Sequence, residues 1–462
     1  MSQSRNLNEM SVARALWTVS APMSVGILGV LSVGLADSYF LARDGSTSLA
    51  AIGYIYPVIL TITSLSIGLS AGTSAVVSQA LGKSGADDPV QARLALHALV
   101  LAVGCAIVAA LLLWVLSPWI FTAMGATGDV HAAILAYMPW WCLGFPFIVA
   151  SQSLNAVFKA GGESGIAATA MVAQSLLNVA LDPLLIFGWG PVPAMGTEGA
   201  GIATAAARTL AFLGLLAYAL RSGRLALTRE ATDGLVRSVR RIGATGVPAA
   251  LSNAINPLGM ALVTSAVATL GEAAVGGFGA ATRVQSLLFV PMLALSAGIG
   301  PVVGQAWGAG DHARARATVR LTFLVCAGYG AALVALMWLT AGPVARLMTN
   351  GLDAVPYAAD YLRWVSLGFF GYGILVTANA AMNAREKAIW SMTLSAARIA
   401  LIYVPLAWAG ALALGYPGIL GAAIAANLAA AWGALVLCQA VGLLDLDQPL
   451  VRTPAERLAP SN

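Results

Sequence analysis

Twelve times along the chain, apolar residues run for about twenty positions or more before a short polar stretch interrupts them. A helix needs about 20 such residues to cross a bilayer. The runs at 16–39, 53–80, 94–117, 134–157, 166–188, 199–220, 244–268, 276–305, 319–341, 358–382, 391–413 and 418–443 therefore each predict one crossing. Period-two alternation does not recur from segment to segment, which argues against a membrane β-barrel. The pattern predicts an all-α integral membrane protein with twelve transmembrane helices.

The longest polar stretch, 222–241, falls between runs six and seven, where a linker between two halves belongs. The halves resemble each other. I-G-L-S-A-G-T-S-A-V-V-S-Q-A-L-G, ending at Gly82, aligns with S-A-G-I-G-P-V-V-G-Q-A-W-G, ending at Gly308, so Gln79 matches Gln305 at an offset of 226 (305 − 79). G-T-E-G-A-G-I-A-T (Gly196–Thr204) aligns with G-I-L-G-A-A-I-A-A (Gly418–Ala426) at an offset of 222 (418 − 196), which places Pro183 on Pro405. A six-span unit is even, so both copies cross the membrane in the same sense, as the parallel repeats of secondary transporters do. The expected organisation is an N-lobe at 1–221, an interlobe linker at 222–243, a C-lobe at 244–443 and a tail at 444–462.

Composition agrees with the pattern. With 59% hydrophobic and 9% charged residues, a soluble globular fold is excluded. The net charge of +5 does not point to nucleic acid, because the basic residues sit in short loops between apolar runs. Eighteen of the 24 Lys and Arg residues, Lys159 and Arg241 among them, fall on the side that holds both termini. Arg43 and Arg346 fall on the other side, and Arg208, Arg283, Arg363 and Arg398 lie within runs. The excess predicts cytoplasmic termini and a multi-pass protein of the plasma (inner) membrane. The polar N-terminus lacks signal-peptide features, so targeting through the first span is expected. Cys105, Cys142, Cys326 and Cys438 all fall inside apolar runs and read as small core residues, not as disulfides or metal ligands.

Charge inside an apolar run is costly and usually functional. Asp182 stands in L-L-N-V-A-L-D-P-L-L-I-F-G, with Asn178 four residues before it on the same helix face and Pro183 directly after. Pro183 removes a helical hydrogen bond and is a candidate hinge, as are Gly26, Gly29 and Gly34. Asp37 is a second acid, near the outer end of span one. The repeat acts as a control here. Asp37 matches Val263, Asp182 matches Val404 and Thr204 matches Ala426, whereas Gln79, Gly82, Pro183 and Gly199 recur. Acids present in one copy alone point to chemistry confined to the first half. Two carboxylates sharing a dehydrated pocket would titrate as a pair. Asn155, Met171 and Gln174 are candidates for a substrate cavity, and Arg208, one turn beyond Thr204, faces either Asp182 or the exterior.

These stretches resemble the multidrug and toxic compound extrusion (MATE) family over nearly the whole chain. The most specific are G-L-A-D-S-Y-F-L-A-R, S-Q-A-L-G, L-D-P-L-L-I-F-G and M-G-T-E-G-A-G-I-A-T. The resemblance implies two pseudo-symmetric six-helix lobes in a V, and export of bulky, often cationic organic compounds in exchange for protons or Na⁺. The DinF-like branch places its coupling acids at the positions of Asp37 and Asp182, with Asn178 and Thr204 as polar partners. The other branch carries a coupling acid in span seven, where this chain has Asn253 and Asn256 and no acid. No cofactor, resident metal or nucleic-acid partner is expected; Na⁺, if used, would sit at Asp37, Asn178, Asp182 and Thr204. The expected partners are small organic molecules and the bilayer, and the expected state is a single chain.

Other classes fit less well. Gly82–Ser84 reads G-K-S, but a P-loop needs a glycine where Val77 stands, so an ATP-driven pump is not expected. A channel has no need of a doubled half with acids in one copy. An intramembrane enzyme would need paired acidic motifs or a histidine cluster; His97, His131 and His312 are scattered and Asp87–Asp88 lie in a short loop. The alternative kept is a lipid or lipid-linked oligosaccharide flippase of the same superfamily, which would show a more cationic cavity.

Overall fold

A computed structural model describes residues 6–84, 90–227, 232–349 and 352–445. The expected tail beyond 445, the Asp87–Asp88 pair and Arg5, Arg229, Arg452 and Arg457 lie outside the described residues. Twelve helices among those described are long and apolar enough to cross a membrane, one on each predicted run. The first half contains α1 (Val12–Asp44), α2 (Ser46–Ser84), α3 (Val90–Ala123), α4 (Gly128–Ala160), α5 (Ser164–Ile186) and α6 (Gly196–Arg221). The second contains α7 (Leu235–Ala268), α8 (Glu272–Leu288), α9 (Val290–Gly308), α10 (His312–Met348), α11 (Val355–Ala384), α12 (Ala388–Leu414) and α13 (Tyr416–Ala440).

Most helices outrun their apolar runs by a turn or two, because backbone hydrogen bonding continues past the hydrocarbon boundary. Polar caps mark the ends: Ser11 Oγ accepts from the Arg14 amide at 3.4 Å, and Asp311 Oδ1 from the Arg314 amide at 2.9 Å. α7 starts at Leu235 and not near 244, so the last nine residues of the expected linker are helix. The run at 276–305 is parted at Phe289 into α8 and α9, because Pro291, two residues on, has no amide hydrogen to continue the preceding helix's hydrogen bonding.

The halves meet at the end of the bundle nearest the N-terminus, and they do so through the repeated motif. A Cβ on Gly82 would lie 2.0 Å from the Gln305 carbonyl oxygen, and one on Gly308 would lie 2.1 Å from that of Gln79. Only glycine permits this approach. The glutamines bond reciprocally across the seam. Gln79 Nε2 donates to the Ala384 carbonyl at 2.6 Å, and Gln305 Nε2 to the Ala160 carbonyl at 2.7 Å. Packing follows the same exchange. Leu16 and Val19 of α1 belong to an apolar cluster of the second half, and Ile242 of α7 to one of the first. Each half thus lends the start of its first helix to the other.

Candidate functional site

Asp182 is fully buried in the first half, although its run is otherwise apolar. The close approach of α5 and α6 places it there: a Cβ on Gly199 would lie 2.3 Å from the Leu185 carbonyl oxygen. The i, i+4 spacing brings Asn178 Nδ2 to 3.4 Å from Asp182 Oδ1, and the same nitrogen lies 3.4 Å from Thr204 Oγ1 on α6. Thr204 Oγ1 donates in turn to the Ala200 carbonyl at 2.9 Å. Asp37, on α1, lies close enough to Asp182 for the two carboxyl groups to interact. All four predicted residues of this site therefore converge.

Three oxygens in the cluster are buried and lack a donor: Asp37 Oδ1, Asn178 Oδ1 and Asp182 Oδ2. Buried acceptors without donors are expensive. A shared proton would relieve the facing carboxylates, and a hard cation would accept oxygens of this type. Arg208 turns inward, not to the exterior. Its guanidinium lies over the Trp141 ring, 5.0 Å from the centroid, within electrostatic range of Asp37. Tyr137 completes the wall, 3% exposed and within interaction range of Thr204. The sequence reading missed it, because a tyrosine in an apolar run looks like packing.

The hinge candidates separate. α5 continues as helix through Pro183 to Ile186. Gly26 and Gly29 let α1 press on α5, with Met171 Sδ and Ser175 Oγ at 3.1 and 3.3 Å from an added Cβ. Gly34 has no neighbour within 4 Å of its added Cβ, so packing does not account for it.

A separate cavity of about 350 Å³ lies between the halves. Of the three substrate-cavity candidates, Met171 lines it. Asn155 and Gln174 do not; Asn155 is buried behind the wall, where its Nδ2 donates to Gln152 Oε1 at 3.4 Å, and Gln152 lines the cavity instead. Lys159 is also on the wall, in the last turn of α4, although sequence reading placed it among the loop charges. From the second half come Asn253, Asn256, Asn379, Asn383 and Tyr372. Asn256 Oδ1 accepts from Arg398 Nη1 at 3.0 Å, and Arg398 is held further by Asn427.

The chain matches the family model described as MatE twice, over residues 22–184 and 248–409. The two matches begin 226 residues apart (248 − 22), the offset of the internal repeat. A FAD transporter of Shewanella oneidensis is 32% identical over 93% of this chain and 94% of its own length. The probable multidrug resistance protein YpnP of Bacillus subtilis is 24% identical over 88% and 91%. Among solved structures, the Vibrio cholerae MATE transporter VcmN in its bent form superposes with a TM-score of 0.86 at 27% identity, covering 95% of this chain and 98% of that one. With two copies of the family's unit covering most of its length, this chain belongs to the multidrug and toxic compound extrusion family of membrane transporters.

Proposed function

We propose that the protein is a secondary active exporter of bulky organic compounds that exchanges cargo for protons or Na⁺ at Asp37, Asn178, Asp182 and Thr204. The observation that carries this reading is the convergence of two carboxylates, an amide and a hydroxyl in one buried cluster of the N-lobe, with three of the cluster's oxygens lacking donors. The same placement supports assignment to the DinF-like branch, since span seven has no acid to couple through.

With cytoplasmic termini, the reciprocal Gln79–Gln305 seam closes the inner side. A cation entering from outside occupies the N-lobe cluster and weakens cargo binding; by linkage, bound cargo weakens the cation to the same degree. One charge moving down 100 mV supplies about 2.3 kcal/mol, enough for an uphill gradient of roughly fifty-fold. Multidrug resistance proteins and a FAD transporter among its relatives make drugs and flavin nucleotides the first cargoes to test. The expectation of mainly cationic cargo has no carboxylate on the cavity wall to support it. The wall lysine favours, as a second reading, a flippase for phosphate-bearing lipids, but that reading gives the acid pair no role.

The deciding experiment is dye and flavin uptake into inside-out vesicles under an imposed pH or Na⁺ gradient. Wild type should accumulate cargo under one gradient, and Asp37→Asn and Asp182→Asn should not. Full gradient-driven uptake by both variants would exclude coupling at this cluster.

A further inference from the structure

Lys159 is the charged residue on the cavity wall, and no aspartate or glutamate lines that wall with it. It takes part in neither the Arg224–Glu163 nor the Arg241–Glu386 ion pair. An ammonium set in a cavity wall without a counter-charge loses part of its hydration for no electrostatic return. The scaffold does not require one here. The gate carbonyls Ala160 and Ala384 are two-fold partners at an offset of 224 (384 − 160), and the same offset places Lys159 on Asn383, which lines the cavity from the other half. One half therefore offers a cation where its twin offers an amide.

The opposite wall adds to the positive field. Arg398 lies behind Asn256 and Tyr372, both of which face the cavity; it donates to Asn256 Oδ1 at 3.0 Å and sits 5.5 Å from the Tyr372 ring centroid. Its other partner is Asn427, again uncharged. Lysine and arginine thus flank the cavity from both halves, and asparagine side chains supply neutral donors between them.

We infer that Lys159 receives an anionic group (phosphate, carboxylate or sulfonate) carried by the organic cargo. The inference rests on the exporter reading and names the cargo's charge class. Lysine suits this task as a compact, strongly hydrated point charge that exchanges water for an anion.

The test measures binding, not transport, so coupling does not enter it. Full-length protein in phosphatidylcholine nanodiscs is titrated with FMN and with riboflavin, which share ring and ribityl chain and differ by one phosphate. Wild type should bind FMN at least about tenfold more tightly than riboflavin. Lys159→Asn, which installs the residue of the matching half, should bring the two within about twofold, and Lys159→Arg should keep most of the preference. A wild-type ratio near one, a ratio unchanged in Lys159→Asn, or failure to bind either flavin overturns the inference. Adding phosphatidylglycerol to the nanodiscs separates two sources of the anion: competition with FMN assigns the site to a lipid headgroup, and none assigns it to soluble cargo. Asp37→Asn should keep the FMN preference while losing driven transport. Driven transport that survives in Asp37→Asn removes the coupling cluster and leaves the anion preference standing.

Discussion

The two lobes share one scaffold but fill its equivalent positions with opposite chemistry. In the N-lobe, Asp37, Asp182 and Thr204 converge around Asn178. In the C-lobe, the matching Val263, Val404 and Ala426 lie in one apolar cluster, with Val263 and Ala426 fully buried. The C-lobe keeps a polar centre elsewhere: Arg398, on a π-helical turn of α12 six residues before Val404, is clasped by Asn427 and Asn256. The fold is therefore stable with an apolar filling at the acid site, so scaffold integrity does not account for the acids.

The largest effect should come from forcing the C-lobe to imitate its twin. Val263→Asp buries a carboxylate among Val267, Phe278 and other apolar neighbours without Asn178 or Thr204 to receive it. An uncompensated buried charge costs about 3–5 kcal/mol. The expected result is a sharply lower unfolding midpoint in detergent and little protein in the membrane. Wild-type stability would mean that the C-lobe site already admits water or a partner.

Removing the charge where it occurs naturally should spare the fold and stop the work. Asp37→Asn and Asp182→Asn keep the side chain's shape and delete one titrating group. Under a 100 mV potential the steady accumulation ratio should fall by up to about fifty-fold, while equilibrium cargo binding changes little. Loss of binding together with uptake would instead make the pair part of the cargo site.

The gate offers the opposite case, in which the halves should behave alike. Gly82→Ala and Gly308→Ala each press a methyl group into a backbone carbonyl, at 2.0 and 2.1 Å. Overpacking of this kind costs about 1–3 kcal/mol. Both variants should open the seam to the same extent, read as longer interlobe distances between spin labels. Unequal responses would show that the two-fold contact is not energetically symmetric.

A smaller effect is expected at Thr204. Thr204→Val deletes the acceptor of the Asn178 amide and keeps the volume, a loss of about 1 kcal/mol. The apparent affinity for the coupling cation should weaken by about fivefold, read as a shift in the gradient that half-saturates uptake. An unchanged half-saturation point would remove Thr204 from the cluster's cation-binding role.

Much of this design was legible because a charge inside an apolar run breaks the pattern, and the repeat subtracts whatever the scaffold needs. Asp37 and Asp182 passed both filters. Lys159 passed neither: it stands at the end of a run, where orientation alone explains a basic residue, and the cavity beside it exists only once the second half folds against the first. Gln152 and Asn155 sit one turn apart on α4, as Met171 and Gln174 do on α5, and in each pair only the first reaches the cavity. Helix rotation and depth are set by packing partners, which local spacing does not encode. The inward turn of Arg208 over Trp141 was hidden for the same reason.

Tyr137 gives the smallest expected effect and the finest test of the comparison. It lies within interaction range of Thr204 in the acid cluster, which invites a role in proton passage. Yet at the offset of 224 it matches Tyr361 of the C-lobe, which is equally buried and whose hydroxyl donates to Gln285 Oε1 at 2.6 Å. A residue present in both lobes belongs to the part that the repeat subtracts. Tyr137→Phe should therefore leave gradient-driven uptake within about twofold and lower stability by about 1 kcal/mol, as Tyr361→Phe should in the lobe that lacks the acids. A loss of uptake as deep as that of Asp37→Asn, with Tyr361→Phe still active, would place the phenol on the cation's route. The asymmetry between the lobes would then extend to a residue that their sequences share.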